Sequence, residues 1–584
     1  MITRMTEYLL VSPRACSEEL IGALQEMGVM DITRSHKSID SHSASLMEEA
    51  AAVKNEMAGT ALKSAVAAEK SHISALKKEK EASLLWGAFD KGDLDTLEGE
   101  GLQLHFHRLT KKKFDPSIAD RIPMEIISSD GPEVLFVVVG DNHGVAGEMP
   151  RPRSCAEIDT ELDGAKSSLD SLEKELAALP GRKKELQAKY NGIVDTLEGY
   201  LALKGSEADD SIGEYVDIYE GFAPADKNWE IASALDALPL YWSCRPATDD
   251  KTPVKLRNNW FARQFEVLTG MYGLPVYNEF DPTPILGTFF LLFFSLCMGD
   301  AGYGILLVAT SIFLGKKMPE SGLGKLHSLI MLLGIGTFVI GLLLGTFFGV
   351  NLYEASFVPS TLKSIMIQGK TAIAGRTFDV QMIMAICIGI FHICLAMTVK
   401  AICYTRRYGF KKNINTWAWL LLILGALVTG GFALCGVLDN ETTRLVLIVL
   451  GCVSALGIFI FNTPGRNPLL NIGSGMWETY NMATGLLGDV LSYIRLYALG
   501  LAGGMLGAAF NNLGGMVLGD GGNPVTWVFF ILIVLIGHAL NLAMSCLGAF
   551  VHPLRLSFVE YFKNSGYEGR GVVYKPLENK NKNK

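Results

Sequence analysis

From residue 284 onward the chain is a succession of apolar runs, and a backbone placed in hydrocarbon has few options. No water is there to satisfy N–H and C=O groups, so each run must close its hydrogen bonds on itself as a helix. About 20 apolar residues cross a bilayer core. Eight segments answer to this, at 284–298, 301–315, 327–350, 381–404, 416–438, 444–462, 476–510 and 525–555. Charge divides the 584 residues the same way. Residues 281–584 hold 13 acidic and 21 basic side chains, whereas residues 1–280 hold 47 and 31. The fold class is therefore mainly α, with three parts. An elongated, acidic α/β domain over 1–280 is followed by an eight-helix transmembrane domain over 281–563 and a tail over 564–584. This excludes a secreted enzyme, a disordered scaffold and, in the absence of a basic domain, a nucleic-acid binder.

The first part is organised by two long helices, at about 43–85 and 155–203. In the second, Ile158, Leu162, Ala165, Leu169, Leu172, Leu176 and Leu179 recur at alternating spacings of four and three, and Leu186, Tyr190, Ile193 and Leu197 resume the pattern. A 3.5-residue period puts these side chains on one seam, which needs a partner helix. The first stretch supplies a weaker seam, Leu46, Ala50, Val53 and Met57, then a shift to Leu62, Val66, Ile73 and Leu76. An antiparallel coiled-coil hairpin follows, with a distal lobe over about 86–150 at its tip and a kink at Pro180. A proximal lobe comes from 1–40 and 205–260. There Thr6–Val11 reads as a strand, Ser17 as the cap of a helix ended by Gly28, and 215–243 as strand–helix–strand. The ten cysteines form no CxxC pair, so neither zinc nor redox chemistry is suggested. The N-terminus lacks a charged-then-apolar leader, so this domain is expected to stay cytoplasmic.

Positive charge orients the spans. Lys316, Lys317 and Lys325, then Arg406, Arg407, Lys411 and Lys412, then Arg466, then the tail's Lys563, Arg570, Lys575, Lys580, Lys582 and Lys584 fall on one side. The other side receives Lys363, Lys370 and Arg376 in one long segment, then Asp439, Glu441, Arg444 and Asp520. Eight spans with both termini cytoplasmic fit this bias. The last two segments, at about 45–57 Å with their flanks, exceed the hydrocarbon thickness and require tilt or projection.

Those two segments also carry the polar residues. An ionisable group inside a span is costly and marks function by default. In the seventh, Asn481, Gly485, Gly488, Ser492, Arg495, Leu499 and Ala502 make one face of mostly small residues around a single guanidinium. Small residues let another backbone approach closely, and arginine stays charged where lysine would not. The eighth carries a matching stripe: His538, Asn541, Ser545, Gly548, His552 and Arg555. A polar face along a membrane helix suits a water-lined ion path. Pro553 should kink this helix and free a carbonyl. Glu478 and Asp489 are further candidates, against a plain pairing with basic neighbours. Arg555 equally suits an interfacial cation whose head reaches water. His392, in the fourth span, reads as a packing histidine. Gly369-Lys370-Thr371 is no phosphate loop, because Ser364 stands where the first glycine belongs. No nucleotide, metal or cofactor site and no catalytic constellation is expected.

Several stretches together resemble a known family, the membrane stator subunit of V-type and A-type rotary ATPases (subunit a, or subunit I). They are Met271-Tyr272-Gly273-Leu274-Pro275 with Asp281-Pro282-Thr283-Pro284, the turn Gly299-Asp300-Ala301-Gly302-Tyr303-Gly304, Ser492-Tyr493-Ile494-Arg495-Leu496-Tyr497-Ala498-Leu499, and His552-Pro553-Leu554-Arg555-Leu556 with Val559-Glu560-Tyr561-Phe562. The resemblance covers essentially the whole chain. It implies two ion half-channels beside a rotor proteolipid ring of carboxylate-bearing subunits. Arg495 would stand as the family's essential arginine between them, and Arg555 as its second. It further implies peripheral-stalk coiled-coil heterodimers and a membrane-proximal central-stalk subunit as partners of the soluble part. The chain would not itself be catalytic. Where some eukaryotic relatives carry a histidine and an acidic residue, this chain has Gly503 and Ser545. Its compact length points to a prokaryotic cell membrane. Two other readings stand beside this one: a secondary transporter binding an anionic solute at Arg495, and a membrane scaffold without transport.

Overall fold

The computed structural model describes residues 1–33, 40–87, 89–111, 113–114, 122–129, 133–140, 145–206, 215–317, 324, 326–354, 358–373, 376–434, 436–460, 468–519 and 524–581. Lys325, Arg466, Asp520, Lys582 and Lys584, used above to orient the spans, lie outside these residues. Strands β1 (Met5–Pro13), β2 (Asp31–Ile32), β7 (Val216–Pro224) and β8 (Tyr241–Pro246) form one sheet in the order β2-β7-β1-β8. Ser17 is the first residue of α1 (Ser17–Met27) rather than its cap; Cys16 occupies that position, and Gly28 ends the helix at φ 63°. The Ser17 hydroxyl is turned instead onto Asp217, at 2.6 Å. Contacts divide the chain into two compact units. One comprises Met1–Leu9, Gly221–Ala237 and Trp242–Lys575, the other Leu10–Glu220, Leu238–Tyr241 and Pro576–Lys584.

The second of these is built on the helical hairpin. Its first arm is two helices, α2 (Ser41–Ala58) and α3 (Thr60–Leu84), and a short α4 (Lys91–Gly99) follows; its second arm is one unbroken helix, α5 (Cys155–Leu203). Ion pairs Glu56–Arg182, Lys70–Glu173 and Lys80–Asp159 run in opposite senses along the arms, so the hairpin is antiparallel. Ile73, Leu76, Ile158, Leu162 and Ala165 form its core. The seam shift read between Met57 and Leu62 has a physical cause. The first arm breaks at Gly59, at φ 60°, where an added Cβ would lie 2.9 Å from Leu179 and 3.3 Å from Leu176. The second arm carries Pro180 within the helix at that same level. A capping box, Ser154 with Glu157, starts α5. The distal lobe is an antiparallel sheet in the order β4-β5-β3-β6, from β3 (Leu104–Thr110), β4 (Met124–Ser128), β5 (Glu133–Val139) and β6 (Glu148–Met149). Its register sets His107 opposite Phe136, and the apolar run of β5 supplies the buried centre.

The C-terminal tail belongs to the same unit. Leu577 is fully buried. Its N–H donates to Met30 O at 2.8 Å, Asn579 N–H to Gln25 O at 3.1 Å, and Lys580 N–H to Asp195 Oδ2 at 2.9 Å. Lys580 Nζ also pairs with Glu198 at 2.7 Å. Burial raises the Asp195 carboxyl above the ordinary range, against the pull of the Lys580 N–H, and its Oδ1 has no partner among the described residues.

The other unit holds α6 (Asn228–Leu235), α7 (Trp260–Tyr272) and every apolar helix. These are α8 (Thr283–Met298), α9 (Ala301–Lys317), α10 (His327–Leu344), α12 (Val380–Tyr408), α13 (Ile414–Leu434), α14 (Asn440–Ile460), α15 (Pro468–Leu518) and α16 (Pro524–Arg555). Each of the eight expected segments holds a helix, but the one expected over 327–350 ends at Leu344, with 346–347 and 350 in short strands instead. Among the described residues, six helices are long and apolar enough to cross a membrane. The other two segments, α8 and α9, have 16 and 17 residues, or about 24–26 Å of rise, which is short of a bilayer core. Their shortness goes with burial: Phe290, Phe293, Phe294, Cys297 and Met298 of α8 are almost fully enclosed by protein. Close glycine contacts clamp α9 to α10; a Cβ on Gly341 would lie 2.2 Å from Ala301 N, and one on Gly304 2.5 Å from Phe338 N. The long connection from α10 to α12 contains β9 (Thr346–Phe347), β10 (Val350–Asn351), α11 (Ser360–Lys363), β11 (Lys370–Ile373) and β12 (Arg376–Asp379). After α16 the chain makes a π-helical turn at Leu556–Tyr561, just past Pro553, and then α17 (Phe562–Ser565). The segment beyond folds onto the Met271–Pro275 motif: Tyr567 OH donates to Gly273 O at 2.7 Å, and Gly571 N–H to Leu274 O at 2.9 Å. Glu279, accepting N–H groups of Val276 and Glu568, is raised in pKa by its burial.

Candidate functional site

Helix α15 is fixed from behind. Tyr493 and Leu496 are fully buried, and the Tyr493 ring fills the space a Cβ on Gly389 of α12 would need, at 2.3 Å. Its hydroxyl lies 2.9 Å from His392 Nδ1. His392, enclosed by Phe289, Phe293 and Tyr561, is the packing histidine expected. One turn on, Gly500 lets α15 meet the end of α8, where a Cβ would be 2.6 Å from Leu296 O. With Tyr493, Leu496 and Gly500 facing inward, Arg495 points to a different side. It is half-buried, and Leu491 and Ala498, one turn to either side, and Ala502, two turns on, are exposed. Among the described residues Arg495 has no hydrogen-bond or carboxylate partner; Cys297 and His552 lie within its field.

The two candidate stripes do different things. On α16, His538 and Asn541 do not stand open but close a network against α9 and α15. His538 Nδ1 lies 2.8 Å from Tyr303 OH and its Nε2 2.9 Å from Asn511 Oδ1. Asn541 Nδ2 donates to Tyr303 OH at 2.8 Å and to Gly503 O at 2.9 Å, and Ser545 Oγ donates to Asn541 Oδ1 at 3.3 Å. Gly503 and Ser545, where the chain departs from the eukaryotic pattern, face each other: a Cβ on Gly503 would be 3.1 Å from Ser545 Oγ. His552 is half-buried, and Arg555 is exposed with no ion pair among the described residues.

Ahead of Arg495 the chain gathers acids. Asp489 is buried, accepting from Asn564 Nδ2 at 2.8 Å with Lys563 Nζ at 3.6 Å. Glu560, on the π turn, is 2% exposed; Ser492, whose hydroxyl donates to Gly488 O at 3.1 Å, lies near its carboxylate, and the Glu560 Oε2 has no partner among the described residues. Glu478 lies apart from this group, accepting from Asn415 Nδ2 at 3.2 Å. Sequence reasoning missed Tyr303, Asn511, Glu560 and Asn564 as site residues. Two signals were there to use: an asparagine pair in the apolar second half of α15, and an acid five residues after Arg555.

Helix content and hydropathy define the class: a mainly α, multi-pass membrane protein with an N-terminal α/β domain. No protein-family model matches the chain. It is 30% identical over 460 residues to the A-type ATP synthase subunit I of Methanocaldococcus jannaschii, covering 72% of this chain and 63% of that protein. It is 25% identical over 620 residues to the V-type ATP synthase subunit I of Borreliella burgdorferi, covering 99% of each. A third relative, V-type ATP synthase subunit I 1 of Treponema pallidum, is 27% identical over 524 residues, 84% of this chain and 81% of its own. The matches to the Methanocaldococcus protein and its Pyrococcus horikoshii counterpart span only 63% and 48% of those relatives' lengths. The chain belongs to the subunit I family of A-type and V-type ATP synthases.

Proposed function

We propose that this chain is the membrane-embedded stator of a rotary ATPase, guiding protons or sodium ions past Arg495 and so coupling their movement to rotation of a proteolipid ring. One observation carries the reading: a half-buried guanidinium on a membrane helix has no anion of its own among the described residues. Leaving a charge unpaired in hydrocarbon costs several kcal/mol, so the partner must come from another polypeptide. A rotor carboxylate facing lipid is neutral or cation-loaded, because an isolated anion there is prohibitively costly. On reaching Arg495 it is favoured in ionised form and releases its ion. The guanidinium then separates two aqueous paths and blocks direct leakage between them. Polar groups flank it on both sides along α15: Asp489, Ser492 and Glu560 before it, Tyr497 and the loop before α12 after it. Arg555 adds positive charge, and His552 a polar ring, on the facing end of α16. The helical hairpin and its lobes supply the surfaces on which peripheral stalks and the central stalk dock, holding the stator still while the ring turns.

The test is Arg495→Ala in the assembled complex, assayed for ATP-driven ion uptake in membrane vesicles. Uptake should be abolished while the complex still assembles. Wild-type uptake would end the proposal.

A further inference from the structure

Beside α15 lies a cavity of about 410 Å³. At ~30 Å³ per molecule it has room for roughly a dozen waters. One wall is α15 itself, through Tyr497, Gly500, Leu501, Gly504, Met505 and Ala508. A polar wall comes from the connection between α10 and α12, through Asn351, Gln368 and Asp379, and from Gln381 in the first turn of α12. The Tyr497 hydroxyl donates to Asp379 Oδ2, and Gln368 Nε2 donates to Asn351 Oδ1 at 3.1 Å. Asp379 has no ion pair among the described residues.

The cavity sits on one flank of α15. The other flank is taken by α16, which packs at Gly503, Gly507 and Gly514. Leu501 and Met505 border the cavity and are also exposed, so they belong equally to the open face that carries Arg495. The space therefore leads from the connecting loop to that face, starting two residues past Arg495 and continuing for about three turns. Asp379 begins α12, whose far end carries Arg406 and Arg407. Charge bias puts that far end inside and the cavity's polar wall outside.

We infer that this cavity is the outer aqueous vestibule for monovalent cations, and that Asp379 with Tyr497 forms its gate. The inference rests on the stator reading of Arg495 and adds to it a location and two residues. A carboxylate at the wall of a narrow, low-dielectric space concentrates cations there. The tyrosine hydroxyl holds that carboxylate against α15, so a cation leaving it is handed to the open face. Asp379 makes no side-chain capping bond to α12, so removing its charge does not remove a helix cap.

The experiment has two arms, both on the assembled complex in membrane vesicles. In the first, a membrane-impermeant, charged thiosulfonate is applied to Gly504→Cys in right-side-out vesicles, whose bathing medium meets the outer face, with the parent chain as baseline for its native cysteines. The Gly504 site meets nothing within 4 Å of an added Cβ, so the side chain fits. Gly431→Cys, exposed on α13 and equally unobstructed, is the lipid-facing control. A thiolate forms readily only where water reaches. Gly504→Cys should react at least about tenfold faster than Gly431→Cys; equal rates would show a dry space and overturn the vestibule. This arm does not depend on pumping, so it stands or falls apart from Arg495→Ala. In the second, ATP-driven cation uptake should fall about tenfold in Asp379→Asn and recover in Asp379→Glu, by analogy with other positioned proton-handling groups. Tyr497→Phe, which removes only the hydroxyl, should show a smaller loss. Unchanged uptake in both Asp379→Asn and Tyr497→Phe would overturn the gate.

Discussion

Asp300 is 1% exposed and has no cation partner among the described residues, yet it is the best-satisfied acid in the membrane helices. Its Oδ1 accepts the N–H of Gly302 at 2.8 Å, of Tyr303 at 3.4 Å and of Phe348 at 2.8 Å; its Oδ2 accepts that of Gly349 at 2.7 Å. Two of these donors open α9. The other two belong to a turn where Phe348 sits at φ 47°, the one non-glycine residue at positive φ among those described. That conformation costs about 1–2 kcal/mol, and the carboxylate holds it in place. Phe348 O in turn accepts from Asn511 Nδ2 at 2.7 Å, the entry to the His538–Tyr303–Asn541 network. Asp300→Ala strands the Phe348 and Gly349 N–H groups, at about 1–3 kcal/mol each, and removes a helix cap at about 1 kcal/mol. Relief from burying a charge returns part of this, leaving a net loss on the order of 3 kcal/mol. Asp300→Asn keeps one acceptor oxygen but turns an amide NH₂ toward a remaining donor, so it should fall between Ala and the parent. At about 2–4 °C per kcal/mol, heating the detergent-solubilised protein and following the folded fraction by size exclusion should show a drop of roughly 10 °C for Asp300→Ala. A midpoint within a degree or two of the parent, or an Asn variant less stable than the Ala variant, would refute the argument.

Two further outcomes follow from the soluble unit. Because the Asp195 carboxyl is raised when the tail is seated, its ionised form opposes docking above that raised pKa. The opposition disappears as pH falls through it toward the ordinary carboxylate value of about 4. Protease cleavage of the tail should therefore slow on mild acidification, and Asp195→Asn should flatten the dependence; faster cleavage at lower pH in the parent would contradict it. Gly59→Ala forces a side chain into left-handed backbone and against Leu179, costing about 1–2 kcal/mol for the conformation alone. Hydrogen exchange of α2 and α3 amides should accelerate, and unchanged protection would show that the break does not depend on glycine.

What could be read from the sequence was whatever local periodicity dictates. The heptad over Ile158–Leu197 and the eight apolar segments are patterns of 3.5 and 3.6 residues, visible without knowing any neighbour. Even the seam slip between Met57 and Leu62 was visible. Its cause was not, because Gly59 matters only through Leu176 and Leu179, more than a hundred residues away. The same limit hid the seat of the tail. Nothing in Pro576–Asn581 announces that Leu577 is core, and α5 reaches the tail with Asp195 and Glu198, residues off the heptad seam. On α16 the stripe was legible as a stripe, but spacing says which residues share a face and nothing of what covers that face. His538 and Asn541 turn out to be held by Tyr303 and Asn511, whereas the exposed end of the stripe is Arg555.

That difference bears on where ions would meet this chain if it is the stator proposed above. Protein interiors satisfy most of their polar groups, and the acids of the membrane helices here are largely held, although the buried Ser295, Ser454 and Ser557 hydroxyls, His392 Nε2, Trp419 Nε1 and Tyr561 OH have no partner among the described residues. Asp300 is held by four N–H groups, Asp489 by Asn564 and Lys563, Glu478 by Asn415, and His538 by Tyr303 and Asn511. Against that background the exceptions are informative. Arg495 has no anion among the described residues, Arg555 is in no ion pair there although the Glu560 carboxylate lies within its field, and the buried Glu560 has one oxygen without a partner. A fold that neutralises a lone aspartate with backbone alone has the means to pair an arginine. An arginine left unpaired on an open face beside small residues is physically tolerable only when a carboxylate is brought to it from outside the chain. A fixed internal carboxylate supplied by mutation within reach of Arg495, as in Ala498→Glu one turn away, should then compete with the incoming one. ATP-driven uptake should be lost about as completely as in Arg495→Ala, with assembly intact. Full uptake would mean that the guanidinium is not what the moving acid meets.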